Sequence, residues 1–244
     1  MKSETVRNSK KTSPPGAKKL PTSGSETPYT PGMFPRRKGN CYSFALNEAT
    51  PDEKLQPGNL ASNRDRRSPA MSRDPASSCA AIAAQMRLDS KGSGRSYESN
   101  ATSKCRAGYY KIATVLAPGS DFHYYRQVGD VSFRPARGAT RASISEAFGV
   151  PVSGVTVRRT GMATVRRPGV WAHKRGLATG ALLGDSCGKP IKDPRKACRD
   201  YGNLDYKKFC GFWCVLAKKR AAAGAKKRKT PTARASTGTR AGRS

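Results

Sequence analysis

The chain predicts an α+β domain in which N-terminal helices pack on a small antiparallel sheet, with extended basic arms at both ends. Three observations lead there. Helical patterns come first and β-branched, aromatic runs follow, an order that segregates helices to one face of a sheet. The 244 residues are 36% hydrophobic and include 24 Gly and 17 Pro, which excludes a large all-helical protein. The net charge of +31 is uneven: residues 1–40 carry nine basic and two acidic side chains, and 217–244 carry ten basic and none acidic. Such segments bury too little apolar surface to offset their ordering entropy. Residues 1–39 are therefore read as an extended basic arm, 217–244 as a disordered basic tail, and 40–216 as a domain long enough for one core.

Each element has its own signal. In the N-terminal arm, Ser13-Pro14-Pro15-Gly16 and Pro28-Tyr29-Thr30-Pro31-Gly32 disfavour helix and sheet. Asn40 is an N-cap for a helix over 41–48 that ends before Pro51. A flexible stretch, 61–73, contains Arg64-Asp65-Arg66-Arg67-Ser68-Pro69, and Pro75 then opens a helix reaching Leu88. Residues 109–116 and 121–127, separated by Pro118-Gly119, read as an antiparallel hairpin. Residues 170–174 and 209–217 are two further strands. An insertion, 128–169, lies between the second and third strands. In it Ser143-Ile144-Ser145-Glu146 reads as a capping box, and 152–165 as a small basic hairpin.

The chemistry starts from Cys41. At a helix start, unpaired N–H groups and the helix dipole favour a thiolate. A nucleophilic thiol needs a base, and the chain has two histidines. His123 lies in Asp121-Phe122-His123-Tyr124-Tyr125-Arg126, where a period of two puts His123 and Tyr125 on one face and Phe122 and Tyr124 on the other. His173 lies in Val170-Trp171-Ala172-His173-Lys174. If the two strands pair, both imidazoles can face the helix of Cys41, and the order Cys, His, His supplies nucleophile, base and orienter.

The blocks Asn40-Cys41-Tyr42-Ser43-Phe44-Ala45-Leu46-Asn47, Leu55-Gln56-Pro57-Gly58, Asp121 to Gln127, Trp171-Ala172-His173-Lys174-Arg175-Gly176 and Phe209-Cys210-Gly211-Phe212 span most of 40–216. Together they resemble a papain-like cysteine-hydrolase domain of bacteria, phages and large DNA viruses. The better-known relatives are the NlpC-type cell-wall peptidases, whose third catalytic position is often a second histidine. The resemblance implies a papain-like core in which a helix bearing the cysteine packs on a sheet bearing the histidine. The insertion departs from the family, where the flanking blocks lie nearly adjacent. The basic arms depart from it too, since a small hydrolase has no chemical need for them.

The other cysteines carry a weaker signal. Seven in all, an odd number, with no apolar leader after Met1, argue against a disulfide framework. The thiols are expected to be reduced, in cytosol, nucleus or the interior of an assembly. Zinc knuckles need tight pairs, and Cys210 and Cys214 in one strand would point to the same face roughly 13 Å apart. No metal and no cofactor is expected. The apolar run 212–217 is too short to cross a bilayer.

The charge predicts a polyanionic partner, DNA or an acidic protein surface, bound largely through counterion release. The expected contacts are Lys218, Lys219, Arg220, Lys226, Lys227, Arg228 and Lys229 in the tail, with Arg158, Arg159, Arg166 and Arg167 in the insertion. Extended arms on a compact core suit a large assembly, where they order on contact with neighbours. The leading expectation is a virion-associated structural protein, of minor capsid or nucleic-acid-associated type, whose partners are capsid subunits and whose location is the virion or the host cytoplasm or nucleus. The alternatives are a working cysteine protease or amidase using Cys41, His123 and His173, and a basic ribosomal or organellar assembly protein.

Overall fold

The computed structural model describes residues 19–48, 55–60, 69 and 71–217. Its elements run α1 (Cys41–Ala45), α2 (Pro75–Ser90), β1 (Ser96–Ser99), β2 (Tyr109–Ala117), β3 (Asp121–Gln127), β4 (Val131–Phe133), α3 (Arg141–Phe148), β5 (Val155–Val157), β6 (Ala163–Val165), β7 (Trp171–Lys174), β8 (Ala181–Leu182) and β9 (Lys208–Leu216). This is an α+β arrangement. Six strands form one antiparallel sheet in the order β1-β9-β2-β3-β7-β8, and the insertion builds a second sheet in the order β4-β6-β5.

The β2–β3 hairpin closes where the Ser120 N–H donates to the Ala117 carbonyl, so Pro118-Gly119 turns the chain as expected. Alternation then sorts the side chains. Tyr110, Ile112, Phe122, Tyr124, Trp213 and Val215 pack on one face with α1 and α2, while Ala113, Val115, Tyr125 and Phe212 pack on the other with Trp171, Ile191 and Tyr206. Helix α2 starts as Pro75 suggests, behind an Asp74 cap that accepts from the Ala76 and Ser77 N–H groups. Its Ile82 and Met86 are fully buried, contributing about 1.5–3 kcal/mol each.

Six of the seven cysteines are paired, which corrects the expectation of reduced thiols. Cys79 joins α2 to Cys210 in β9, Cys105 joins Cys214, and Cys187 joins Cys198, with Cα–Cα distances of 5.2, 5.7 and 5.7 Å. The odd count leaves Cys41 as the single free thiol. Cys210 and Cys214 do not share a face either. Thr114 pairs with Gly211 and Val115 with Phe209, so Cys210 is the extra residue of a β-bulge. One inserted residue breaks the period of two and turns Cys210 toward α2 while Cys214 points to the opposite face.

Helix α1 is shorter than the predicted 41–48, because Asn47 takes a left-handed conformation (φ 56°). Five residues do not hold a helix by themselves; the sheet holds it. Asn40 caps it by accepting from the Ser43 N–H (3.0 Å) and donates to the Leu55 carbonyl (2.7 Å). At the other end the Phe44 carbonyl accepts from buried Arg126 of β3 (2.9 Å), and the Ala45 carbonyl accepts from Tyr110 of β2 (2.8 Å). Tyr42 donates to Asp89 of α2 (2.8 Å).

Residues 19–39 do not leave the body as a free arm. They run extended along it, with Leu20, Tyr29 and Phe34 buried and the Tyr29 N–H donating to the Asp130 carbonyl. Tyr29, Phe34 and Phe44 share a core with Val131, Val155 and Val165, which fixes the second sheet to the α1 end of the domain. The insertion hairpin forms as β5 and β6. The capping box of α3 lies three residues earlier than predicted: Thr140 is the N-cap and Ser143 the reciprocal partner, because Thr140 reaches the Ser143 N–H at 3.1 Å. The stretch 61–68, residues 1–18, and Lys218 with the rest of the tail lie outside the described residues. Among the described residues no helix is long and apolar enough to cross a membrane.

Candidate active-site cleft

A cleft of about 470 Å³ opens where β3 and β7 part, and Cys41 and His123 both line it. The β3–β7 ladder runs from Gln127–Trp171 to Tyr125–His173 and stops there. Beyond that point the edge of β3 at 122–124 has no strand partner on the β7 side among the described residues, and α1 packs against both strands. The Cys41 thiol meets the Phe122 carbonyl at 4.0 Å.

The imidazoles do not project toward the helix, as the pairing of the two strands suggested. They lie on the other face of the sheet, with the Tyr125 ring 5.2 Å from His123 and 5.3 Å from His173. Cys41 reaches the cleft around the strand edge. The two histidines do come together: His123 Nε2 is 2.8 Å from His173 Nδ1, and His173 Nε2 is 2.9 Å from the Gly184 carbonyl.

Those two distances fix the protons. A carbonyl only accepts, so His173 carries its proton on Nε2 and offers the lone pair of Nδ1. His123, which lines the cleft, therefore donates from Nε2, and the lone pair of its Nδ1 has no hydrogen-bond partner among the described residues. Both rings are held neutral. Burial pushes His123 well below the usual imidazole range, with His173 and the Arg175 guanidinium adding to the effect. Burial likewise lowers His173 to about 4, Arg175 adding to it and the Gly184 carbonyl opposing.

Cys41 reverses the expectation of a helix-activated thiolate. Burial and the nearby Asp121 carboxylate push its thiol up to about 12, against the backbone N–H groups of Tyr124, Tyr42 and Cys41 itself. A helix of five residues has a small dipole, and removing the sulfur from water outweighs it. At neutral pH the pair rests as thiol and neutral imidazole.

The cleft contains groups to which the sequence assigned no role. Asp121 accepts from the Tyr206 hydroxyl at 2.8 Å. Arg175 lies at the mouth, its guanidinium 4.3 Å above the Tyr201 ring. Gln56 is nine-tenths buried, and its Oε1 has no hydrogen-bond partner among the described residues. Asp121, Gln56 and Arg175 each belong to a block quoted above, so adjacency to Cys41 and the histidines was the available signal. Tyr201 and Tyr206 come from the irregular segment after β8, where no periodicity points at them.

The chain matches no protein-family model, no curated protein and no solved structure.

The remaining predicted contacts lie elsewhere. Arg158, Arg159, Arg166 and Arg167 are exposed at the two ends of the β5–β6 hairpin. Lys218, Lys219, Arg220, Lys226, Lys227, Arg228 and Lys229 are outside the described residues. One cluster of metal-ligand type occurs among the described residues, Asp185 with Cys187 and Cys198, but its two sulfurs are bonded to each other.

Proposed function

We propose that the cleft is the active site of a papain-like cysteine hydrolase, a protease or amidase, with Cys41 as nucleophile, His123 as general base and His173 as orienter. The single observation that carries this reading is the imidazole pair tied to the Gly184 carbonyl, which leaves a basic nitrogen on His123 in the cleft that Cys41 lines. Because both groups rest neutral, the proton leaves Sγ for His123 Nδ1 as the sulfur attacks a bound carbonyl carbon. The imidazolium so formed is stabilised by donating to His173, and it then returns the proton to the leaving amine. Water, deprotonated by the same ring, releases the acyl group.

A second reading has an observation of its own. A thiol pushed up to about 12 beside imidazoles pushed down also suits a retained scaffold without chemistry, serving as a structural protein of a virion or other large assembly. Alkylation separates the two, and the free Cys41 makes it a one-site measurement. In the absence of reductant at pH 7, the hydrolase reading expects iodoacetamide to add once, at a rate near that of an ordinary thiol. His123→Ala should slow it at least tenfold. A rate about a thousandfold below an ordinary thiol, and indifferent to His123→Ala, would leave the structural reading.

A further inference from the structure

The insertion owes nothing to the cleft and has a composition of its own. Residues 128–169 contain seven arginines, no lysine and two acidic residues, Asp130 and Glu146. All seven arginines are exposed, and among the described residues none takes part in a salt bridge. The Asp130 carboxylate is engaged by the Arg167 backbone N–H at 3.0 Å.

The register of the small sheet organises this charge. Val131, Val165 and Val155 lie side by side and are buried, so the next position along each strand faces out. That row is Ser132, Thr164 and Thr156, with Ser132 Oγ and Thr164 Oγ1 3.1 Å apart. Two residues further, on the same face, stand Arg134, Arg166 and Arg158. The ladder extends far enough to hold two of them: the Arg158 N–H donates to Met162 (2.8 Å) and the Arg166 N–H to Gly154 (2.9 Å). Because β6 runs against both neighbours, Arg134 and Arg158 lie on one side of the hydroxyl row and Arg166 on the other. Four residues along the strand direction separate the two sides, roughly 13 Å, close to the ~12 Å width of a major groove.

We propose that this outer face is a sequence-independent binding surface for the sugar-phosphate backbone of duplex nucleic acid. Guanidinium forks and hydroxyls are the donors that phosphate oxygens take. The face has no aromatic side chain, and its one large apolar residue is the half-buried Met162 between Arg134 and Arg158, so it lacks the stacking platform of a single-strand site and offers little of the apolar centre of a protein interface. The proposal stands whether or not the cleft is catalytic.

The test uses the full chain and a fluorescein-labelled duplex DNA of about 20 base pairs, with binding followed by anisotropy across a salt series. The triple variant Arg134→Gln, Arg158→Gln, Arg166→Gln should bind at least about tenfold more weakly near 150 mM salt. Its log–log salt slope should flatten by about two to three, near 0.9 for each phosphate no longer neutralised. A control removing equal charge from exposed positions elsewhere, Lys91→Gln, Lys104→Gln, Lys189→Gln, should weaken binding less than about threefold. Equal losses in the two triples would overturn the proposal, since they would reflect net charge alone. So would polyglutamate displacing the duplex as well as unlabelled duplex does, which would assign the face to acidic protein. If the first triple misfolds, Thr156→Glu at the exposed β5 end of the row decides: a loss of at least about threefold is expected, and unchanged binding sinks the idea.

Discussion

Arg126 in β3 is fully buried and donates to the Phe44 carbonyl and Asn47 Oδ1 (2.9 and 3.0 Å). Arg134, Arg158 and Arg166 on the insertion are exposed and form no salt bridge among the described residues. The same side chain is internal scaffolding in one region and an outward-facing charge in the other. The reacting groups of the cleft are buried like Arg126, and burial forces the sulfur and both imidazoles neutral. The high charge of the chain therefore says little about these groups, and their neutrality says little about what the surface binds. The two regions should respond to mutation and pH in opposite ways.

The sharpest contrast is in stability. Arg126→Met removes the donor from a buried α1 carbonyl and the cation stacked 4.2 Å from the Phe44 ring. A loss of about 1–3 kcal/mol is expected from the Phe44 carbonyl left unpaired, and the lost bond to Asn47 Oδ1 adds to it. Arg158→Gln should stay within about 0.5 kcal/mol. Urea unfolding of the two variants measures the difference. A neutral Arg126→Met would mean that water replaces the guanidinium and that the Asn40 cap, Tyr110 and Tyr42 suffice to hold α1.

Arg126 also shows how much of the molecule was legible in the sequence. Periodicity found β2, β3, β7 and β9, because long runs of β-branched and aromatic residues alternate there, and Pro75 marked α2. β1 was invisible: Ser96-Tyr97-Glu98-Ser99 is a polar edge strand that pairs through its backbone with β9. The disulfides were invisible because the parity of a cysteine count says nothing when one thiol remains free. The bulge at Cys210 followed from tertiary pairing and not from any local signal. Nor does composition say that 19–39 packs on the body, since three apolar side chains among many polar ones suffice. At the site, Cys41 and both histidines were legible as residue types in sequence order. The sign of the Cys41 shift was not, because it depends on how deeply the sulfur is buried and on Asp121 beside it.

Acid should separate the regions next. His173 titrates near 4 when folded and near 6.5 when free, so its contribution is complete above pH 6.5. As pH falls from 6.5 toward 4 the unfolded chain takes up a proton that the folded ring refuses, and stability declines by about 1.4 kcal/mol per unit. Between pH 6.5 and 5 that is about 2 kcal/mol from His173, with His123 acting in the same direction. The arginines of the insertion hold their charge throughout and add no such slope. Urea unfolding at pH 7 and pH 5 should show the decline, and His173→Gln should flatten it.

The smallest effect probes the cleft alone. The Asp121 carboxylate raises the Cys41 thiol because a second negative charge nearby disfavours thiolate. Asp121→Asn removes that charge while its amide oxygen still accepts from the Tyr206 hydroxyl. With the anion gone, thiolate forms more readily, so iodoacetamide should react about threefold to tenfold faster at a given pH, equivalent to roughly half to one pKa unit. The pH–rate curve should move to lower pH by the same amount, while binding at the insertion stays unchanged. A slower reaction would mean that Asp121 acts by positioning Tyr206 against the His123 ring, 5.3 Å away. Tyr206→Phe, which leaves the carboxylate in place, would then slow it equally.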